Sequence, residues 1–327
     1  MDVDAYAIAH SAEWGRLEQL VRRRRLTGAE VDELVILHQR AAAHLAVVQS
    51  SSPDPQLVAR LSGLVARSGA AVTGAHVPSR RELARFVAEV FPAAVWRARW
   101  WVIGAALGSA VVAVALGAWV AGSPLVAARL VPEGGGRALR EEFVTYYSAN
   151  AHGSFAFKVW TNNAWVAAQC LLTGISLLFP VWVLLQNAAN VGVIGGLLAR
   201  DGQLGTFFVY LAPHGLLELT AIFVAAGVGM RLGWTLVDPG PRTRRQALGR
   251  EGRAMGAVAL GLVPVFAVAG TLEGFVTPSA LWPQLRVTLG VLAEAAFIAY
   301  VGVLGRRAAA RAESGDPDAP AALPTAG

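Results

Sequence analysis

The chain has 327 residues, 55% of them hydrophobic and only 15% charged, with a formal net charge of +6. A soluble domain usually carries about 25% charged residues, so the composition excludes a protein that is soluble throughout, and the charge deficit begins at Trp100. The arginines stand beside apolar segments (Arg97 and Arg99; Arg231, Arg242, Arg244 and Arg245; Arg306 and Arg307), which fits basic flanks held on the cytoplasmic side of a membrane and speaks against a groove for nucleic acid.

Residues 1–78 read as a cytoplasmic helical domain. Tyr6, Trp14, Leu17 and Leu20 form one apolar stripe. Thr27 followed by Glu30 is a capping box that starts a second helix, with Val31, Leu34, Leu37, Leu45 and Val48 on its apolar face. Pro53 and Pro55 break the pattern, and Leu57, Leu61, Leu64 and Val65 make a third stripe. Three such helices share one seam as a small bundle. The run Arg22 to Arg25 ends the first helix, where cations suit the dipole. Residues 79–99 open on a second capping box, Ser79 and Glu82, and read as an interfacial amphipathic helix on anionic headgroups, or else as a fourth bundle helix.

A membrane domain is expected over residues 100–307. The bilayer core is about 30 Å thick, so a span needs roughly 20 apolar residues. Spans are expected at about 100–121, 158–177, 180–199, 206–230, 254–276 and 287–305, with loop 122–157 outside. The stretch 158–199 is too long for one crossing and reads as a hairpin turning between Gly174 and Pro180. The Arg-rich stretches near 80–99, 231–253 and 306–311 should share the cytoplasmic side, which requires an even number of crossings between the first two. Six spans with both termini cytoplasmic satisfy this, and five spans with a re-entrant segment near Asn187 are the alternative. The first apolar run begins only at Trp100, so no N-terminal signal peptide is expected. The tail 308–327, rich in Pro, Ala and Asp, should be disordered. The predicted class is therefore an all-α, polytopic helical membrane protein with an N-terminal helical bundle.

Ionisable groups inside a bilayer are costly and become candidate sites. His214 and Glu218 stand four apart, on one face of the span that holds Pro213. Proline also frees the carbonyl one turn upstream. Asn162, Asn163, Asn187 and Asn190 are amides within apolar runs, and with His214 and Glu218 they make an expected intramembrane polar pocket. Such a pocket either relays a proton or cation or simply pins helices together. Glu273 and Glu294 are further intramembrane carboxylates without an evident partner. Zinc needs three or four ligands, and His214 with Glu218 supplies two, so no metal is expected. Cys170 reads as a small buried residue. No phosphate-binding loop, H-E-x-x-H or G-x-S-x-G is present, so no enzymatic activity, catalytic residue or cofactor is expected.

The run Pro213-His214-Gly215-Leu216-Leu217-Glu218-Leu219, preceded by Asn162-Asn163 and Gln186-Asn187, resembles the stage II sporulation protein M family. So does Leu272-Glu273-Gly274-Phe275-Val276-Thr277-Pro278-Ser279. The segments Glu13 to Leu20 and Leu61 to Arg67 look like the cytoplasmic domain of its actinobacterial branch. The resemblance implies a multi-pass cell-membrane protein without established enzymatic activity. In endospore formers such proteins anchor a peptidoglycan-degrading complex. The expected partners are thus the lipid bilayer and other proteins of the cell envelope, with a scaffold role expected first and a transporter or permease component as the alternative.

Overall fold

A computed structural model describes residues 3–23, 26–51, 54–73, 80–130, 141, 143–145, 153–311 and 315–317. The chain divides into two compact units, Met1–Arg81 and Glu82–Gly327.

The first unit contains α1 (Val3–Arg22), α2 (Gly28–Ser51) and α3 (Pro55–Thr73). The stripes seen in the sequence close on one another. Trp14, Leu17, Leu20, Leu34, Leu37, Val48, Leu61 and Leu64 are buried in a single cluster. The Thr27 capping box is formed: the Thr27 amide donates to Glu30 Oε2 at 2.9 Å and the Glu30 amide to Thr27 Oγ1 at 3.4 Å. Within the arginine run, Arg22 pairs with Glu18 and Arg23 with Glu30; Arg24 and Arg25 lie outside the described residues, as does Ser79 of the second capping box.

The boundary falls within α4 (Arg80–Arg85), and the second unit continues with a wide turn at Phe86–Val90 and α5 (Phe91–Arg97). An interfacial helix would keep one wet face along its whole length. Here the five residues Phe91 to Val95 are all buried, because glycines let α5 sink into the bundle. A Cβ on Gly261 would fall on the Phe91 ring, and one on Gly305 would lie 2.5 Å from the Pro92 carbonyl oxygen. Only α4 keeps an exposed, basic character.

The bundle itself consists of α6 (Arg99–Gly122), the short α7 (Pro124–Leu130), α8 (Gly153–Leu172), α9 (Leu178–Arg200), α10 (Leu204–Val237), α11 (Arg244–Thr271, widening at Leu272–Val276), α12 (Pro283–Tyr300, widening at Val301–Gly305) and α13 (Arg306–Ala310). Among the described residues five helical stretches are long and apolar enough to cross a membrane: Arg99–Gly122, Leu178–Arg200, Leu204–Val237, Arg244–Val276 and Pro283–Ala310. They make the chain a multi-pass membrane protein. The outward surface is correspondingly apolar, with Leu107, Val114, Leu178 and Trp282 all exposed.

The α8 helix is not one of these five and packs beside them against α10 and α11. The Arg200 guanidinium donates to the Ala121 carbonyl, which puts the end of α6 beside the end of α9. At the opposite end Arg97, Arg231 and Glu251 join α5, α10 and α11. The α8–α9 turn, Thr173–Leu177, packs its Gly174 on Gly229 and Gly233 near that same end. The twenty residues of α8 cover about 30 Å, but Thr161, Asn162, Asn163 and Gln169 make it less apolar than the five. The hairpin reverses at Leu177, which takes a left-handed φ of 59°.

Packing centres on α10, which touches α6, α8, α9, α11 and α12. Its small residues Ala221, Ala225, Ala226, Gly227 and Gly229 allow neighbouring backbones to close in. Arg231, at the end of the expected span, does not reach outward. Its Nε donates to Glu251 Oε2 at 3.0 Å, and its Nη1 donates to the Arg97 carbonyl, because α10 continues six residues further to Val237. Part of the tail is also ordered. Asp316 is buried and receives a bidentate pair from Arg253 at 2.7 and 2.6 Å, beside Gly315 packed on Ala94. One carboxylate matched to a guanidinium fork overrides the tail's composition. Residues 312–314 and 318–327 lie outside the described residues.

Candidate functional site

On α10, helical spacing puts His214 one turn before Glu218, both turned inward. Pro213 lies just before them. There Gly290 of α12 approaches the backbone so closely that a Cβ would stand 2.6 Å from the Pro213 Cα and carbonyl oxygen. The end of α11 opens into a wide turn in which the Thr277 amide bonds the Leu272 carbonyl five residues back at 2.9 Å. Such turns re-aim side chains and recur at functional sites. This one delivers Glu273 and Thr277 to His214.

The resulting cluster is buried and tightly connected. His214 and Glu273 are each 2% exposed. His214 Nε2 lies 3.7 Å from Glu273 Oε1, and His214 Nδ1 lies 3.2 Å from Thr277 Oγ1. Asn163 of α8 donates its side-chain amide to Glu218 Oε1. Arg286 of α12, also buried, donates Nη1 to the Thr277 carbonyl at 2.6 Å and lays its guanidinium 5.3 Å over the Tyr210 ring. Four helices thus meet through polar side chains inside an apolar bundle. A second polar contact joins α10 and α12, where Thr220 Oγ1 donates to Glu294 Oε1 at 2.7 Å.

Of the pocket residues expected from the sequence, His214, Glu218 and Asn163 come together. Asn162 is exposed and donates to Asn163 at 3.3 Å, one step from the cluster. Asn187 and Asn190 do not join. Asn187 donates to the Val183 carbonyl of its own helix at 2.9 Å, and Asn190 is exposed. Glu273 is the residue that the sequence left without a partner and the fold pairs with His214. Thr277, Arg286 and Tyr210 were missed. Arg286 sits four residues inside the start of α12 and reads as an ordinary basic flank. Thr277 carried a signal only as part of the segment Leu272 to Ser279.

Chemically the cluster offers an imidazole nitrogen and two carboxylates, with one ligand atom from each lying within 4.8 Å of the others. Such a set can hold a proton, hold a cation or lock helices together.

Residues 106–278 match the family model for stage II sporulation protein M, and residues 4–74 match a domain of unknown function, DUF8413. No curated protein and no solved structure matches the chain. The first match takes in α8 to α11, and with them Asn163, His214, Glu218, Glu273 and Thr277, but stops before Arg286 and Glu294. Because it covers more than half of the sequence, the chain belongs to the stage II sporulation protein M family.

Proposed function

We propose that the chain is a non-enzymatic anchor that holds a cell-envelope complex at the membrane, with both termini in the cytoplasm. The observation that carries this reading is the completeness of the N-terminal unit. Three helices bury Trp14, Leu17, Leu20, Leu61 and their neighbours in a core of their own, so the module needs no bilayer for its core and can serve as a docking unit. The gathering of Arg97, Arg231 and Arg253 with Glu251 and Asp316 at one end of the bundle supports a cytoplasmic placement of that end. Cross-linking in native membranes tests the role. Full-length protein should capture neighbours that a chain lacking residues 1–81 does not, and identical captures from both, with none lost on removing 131–152, would refute it.

The buried His–Glu–Glu cluster favours a second reading, a component of a transporter. Carboxylates inside a bilayer line ion and proton paths in many membrane proteins. Flux in proteoliposomes that Glu218→Gln abolishes, with helicity and elution unchanged, would favour transport over anchoring.

A further inference from the structure

The three-residue cluster of α10 and α11 has a feature that mutual pairing does not explain. Among the described residues Glu273 Oε2 is enclosed without a hydrogen-bond partner. Its other oxygen faces His214 Nε2 at 3.7 Å, which is too long for a hydrogen bond. Two atoms bound at about 2.0–2.1 Å to one tetrahedral ion stand about 3.4 Å apart, much nearer the observed spacing.

The hydrogen bonds around the cluster suit the same occupant. Thr277 Oγ1 lies 3.2 Å from His214 Nδ1 and 3.3 Å from the Leu272 carbonyl oxygen. A carbonyl only accepts; assigning the hydroxyl hydrogen to Leu272 makes Thr277 Oγ1 the acceptor for Nδ1–H. That assignment leaves the Nε2 lone pair directed at Glu273. A ring held by one N–H while the other nitrogen points at a carboxylate is the arrangement of a metal-ligating histidine. Asn163 fixes one oxygen of Glu218 in the same supporting manner.

Charge points the same way. Glu218 and Glu273 bring two carboxylates into the bundle interior, and Arg286 is the nearby cation. Among the described residues Arg286 makes no ion pair with either; it spends Nη1 on the Thr277 carbonyl and its face on Tyr210. Buried carboxylates must be neutralised, by a proton or by a cation, and two of them beside an imidazole can share one cation.

From this we propose that His214 Nε2, Glu218 and Glu273 bind one divalent transition-metal cation of the zinc class inside the membrane bundle. Nitrogen and carboxylate oxygen donors suit that class, and the fourth position would be left for water or a ligand. The ion would cross-link α10 to α11 whether the chain anchors or transports. The cluster His10, Glu13 and His44 of the N-terminal unit has similar composition but not the same chemistry. His44 Nδ1 already accepts the Trp14 indole N–H at 3.1 Å. Binding a metal at Nε2 as well would require an imidazolate, and Glu13 is engaged by Arg40 at 3.0 Å.

The test uses the full chain in detergent, stripped with a chelator, reloaded with ZnCl2 and passed through gel filtration before elemental analysis. About one zinc per chain is expected, with Asn163→Ala weakening binding roughly 10–100-fold. His214→Gln and Glu273→Gln should abolish it, and His44→Gln should leave it unchanged. Zinc-edge X-ray absorption on the unmutated protein needs no variant to fold: it should show a nitrogen and oxygen shell at about 2.0–2.1 Å containing one imidazole. Absence of stoichiometric zinc, retention of zinc in the His214→Gln, Glu273→Gln double variant, or a shell with sulfur or two imidazoles would overturn the proposal.

Discussion

Two glycines one turn apart on α9 provide the most quantitative test of the packing. A Cβ on Gly192 would lie 2.5 Å from the Ala113 carbonyl oxygen; one on Gly196 would lie 2.5 Å from the Gly117 carbonyl oxygen and 3.0 Å from Val120 Cβ. Ordinary Cβ contacts begin at 3.4 Å, so alanine at either site pushes α9 from α6 by about 0.9 Å, the difference between 3.4 and 2.5. A gap of that size gives up about a quarter to a half of the attraction between facing atoms. Overpacking of this kind costs about 1–3 kcal/mol, and there is no compensating hydrophobic gain, since lipid tails are as apolar as the interface. Gly196→Ala should therefore destabilise the bundle by about 1–3 kcal/mol. The double variant Gly192→Ala, Gly196→Ala should cost less than the sum of the singles, because one separation relieves both clashes. Gly108, on the exposed face of α6, meets nothing within 4 Å, so Gly108→Ala should be neutral or stabilising by up to about 1 kcal/mol. Reversible unfolding by SDS titration in mixed micelles, followed by helicity, gives the four values, Gly192→Ala included. If Gly196→Ala were neutral, or no worse than Gly108→Ala, the close α6–α9 contact would be wrong.

Three further outcomes follow from named contacts. Glu251 holds Arg97 and Arg231 together; Glu251→Ala strands both cations, and because all three are partly exposed the loss should be at the low end for a broken buried pair, about 3 kcal/mol by the same titration. In the N-terminal unit, burial, reinforced by the neighbouring His10, holds the His44 pKa below its ordinary 6.5. The unfolded chain therefore binds a proton that the folded ring resists, and stability should fall as pH drops below about 6.5. Glu30, through its bonds from Thr27, and Glu33, through Arg16, are held below the ordinary 4.5. Their contribution is complete above that value and is lost as pH falls through their lower folded values. Hydrogen exchange of residues 3–73 between pH 8 and pH 3 should therefore accelerate in two stages relative to intrinsic rates, and His44→Gln should remove the upper one; protection that rises on acidification would contradict the assignment. Finally, Thr243 caps α11 with a reciprocal Gln246 bond, so Thr243→Ala should cost about 1 kcal/mol and speed exchange at residues 244–247, with unchanged exchange counting against the cap.

What could be read in advance divides along the distance over which a residue's surroundings are fixed. The first unit's core was legible because its stripes alternate with charged faces, so the helical period names the buried side of each helix. The hairpin at 158–199 was legible from length alone, since no single helix of that length fits a bilayer. Local satisfaction misled in the other direction. An amide in an apolar run looks like a residue in need of a partner, yet Asn187 finds one in the Val183 carbonyl one turn back on its own helix. Phe91 to Val95 looked interfacial because Gly261 and Gly305, which make room for them, are more than 150 residues away.

The site follows the same division. His214 and Glu218 share a face by spacing, so their association required only one helix. Their third partner lies 55 residues beyond Glu218 and depends on two facts that no local pattern carries: α11 packs on α10, and its last turn widens. An unwidened helix would set Glu273 and Thr277 at a different angle, while the wide turn brings both to one ring, Thr277 to Nδ1 and Glu273 to Nε2. The exclusion of a metal from the sequence rested on counting ligands along one helix. Counting them across the α10–α11 contact gives three among the described residues, with one carboxylate oxygen still unpartnered there, and it is the packing of two helices, not the composition of either, that turns a polar pair into a candidate coordination site.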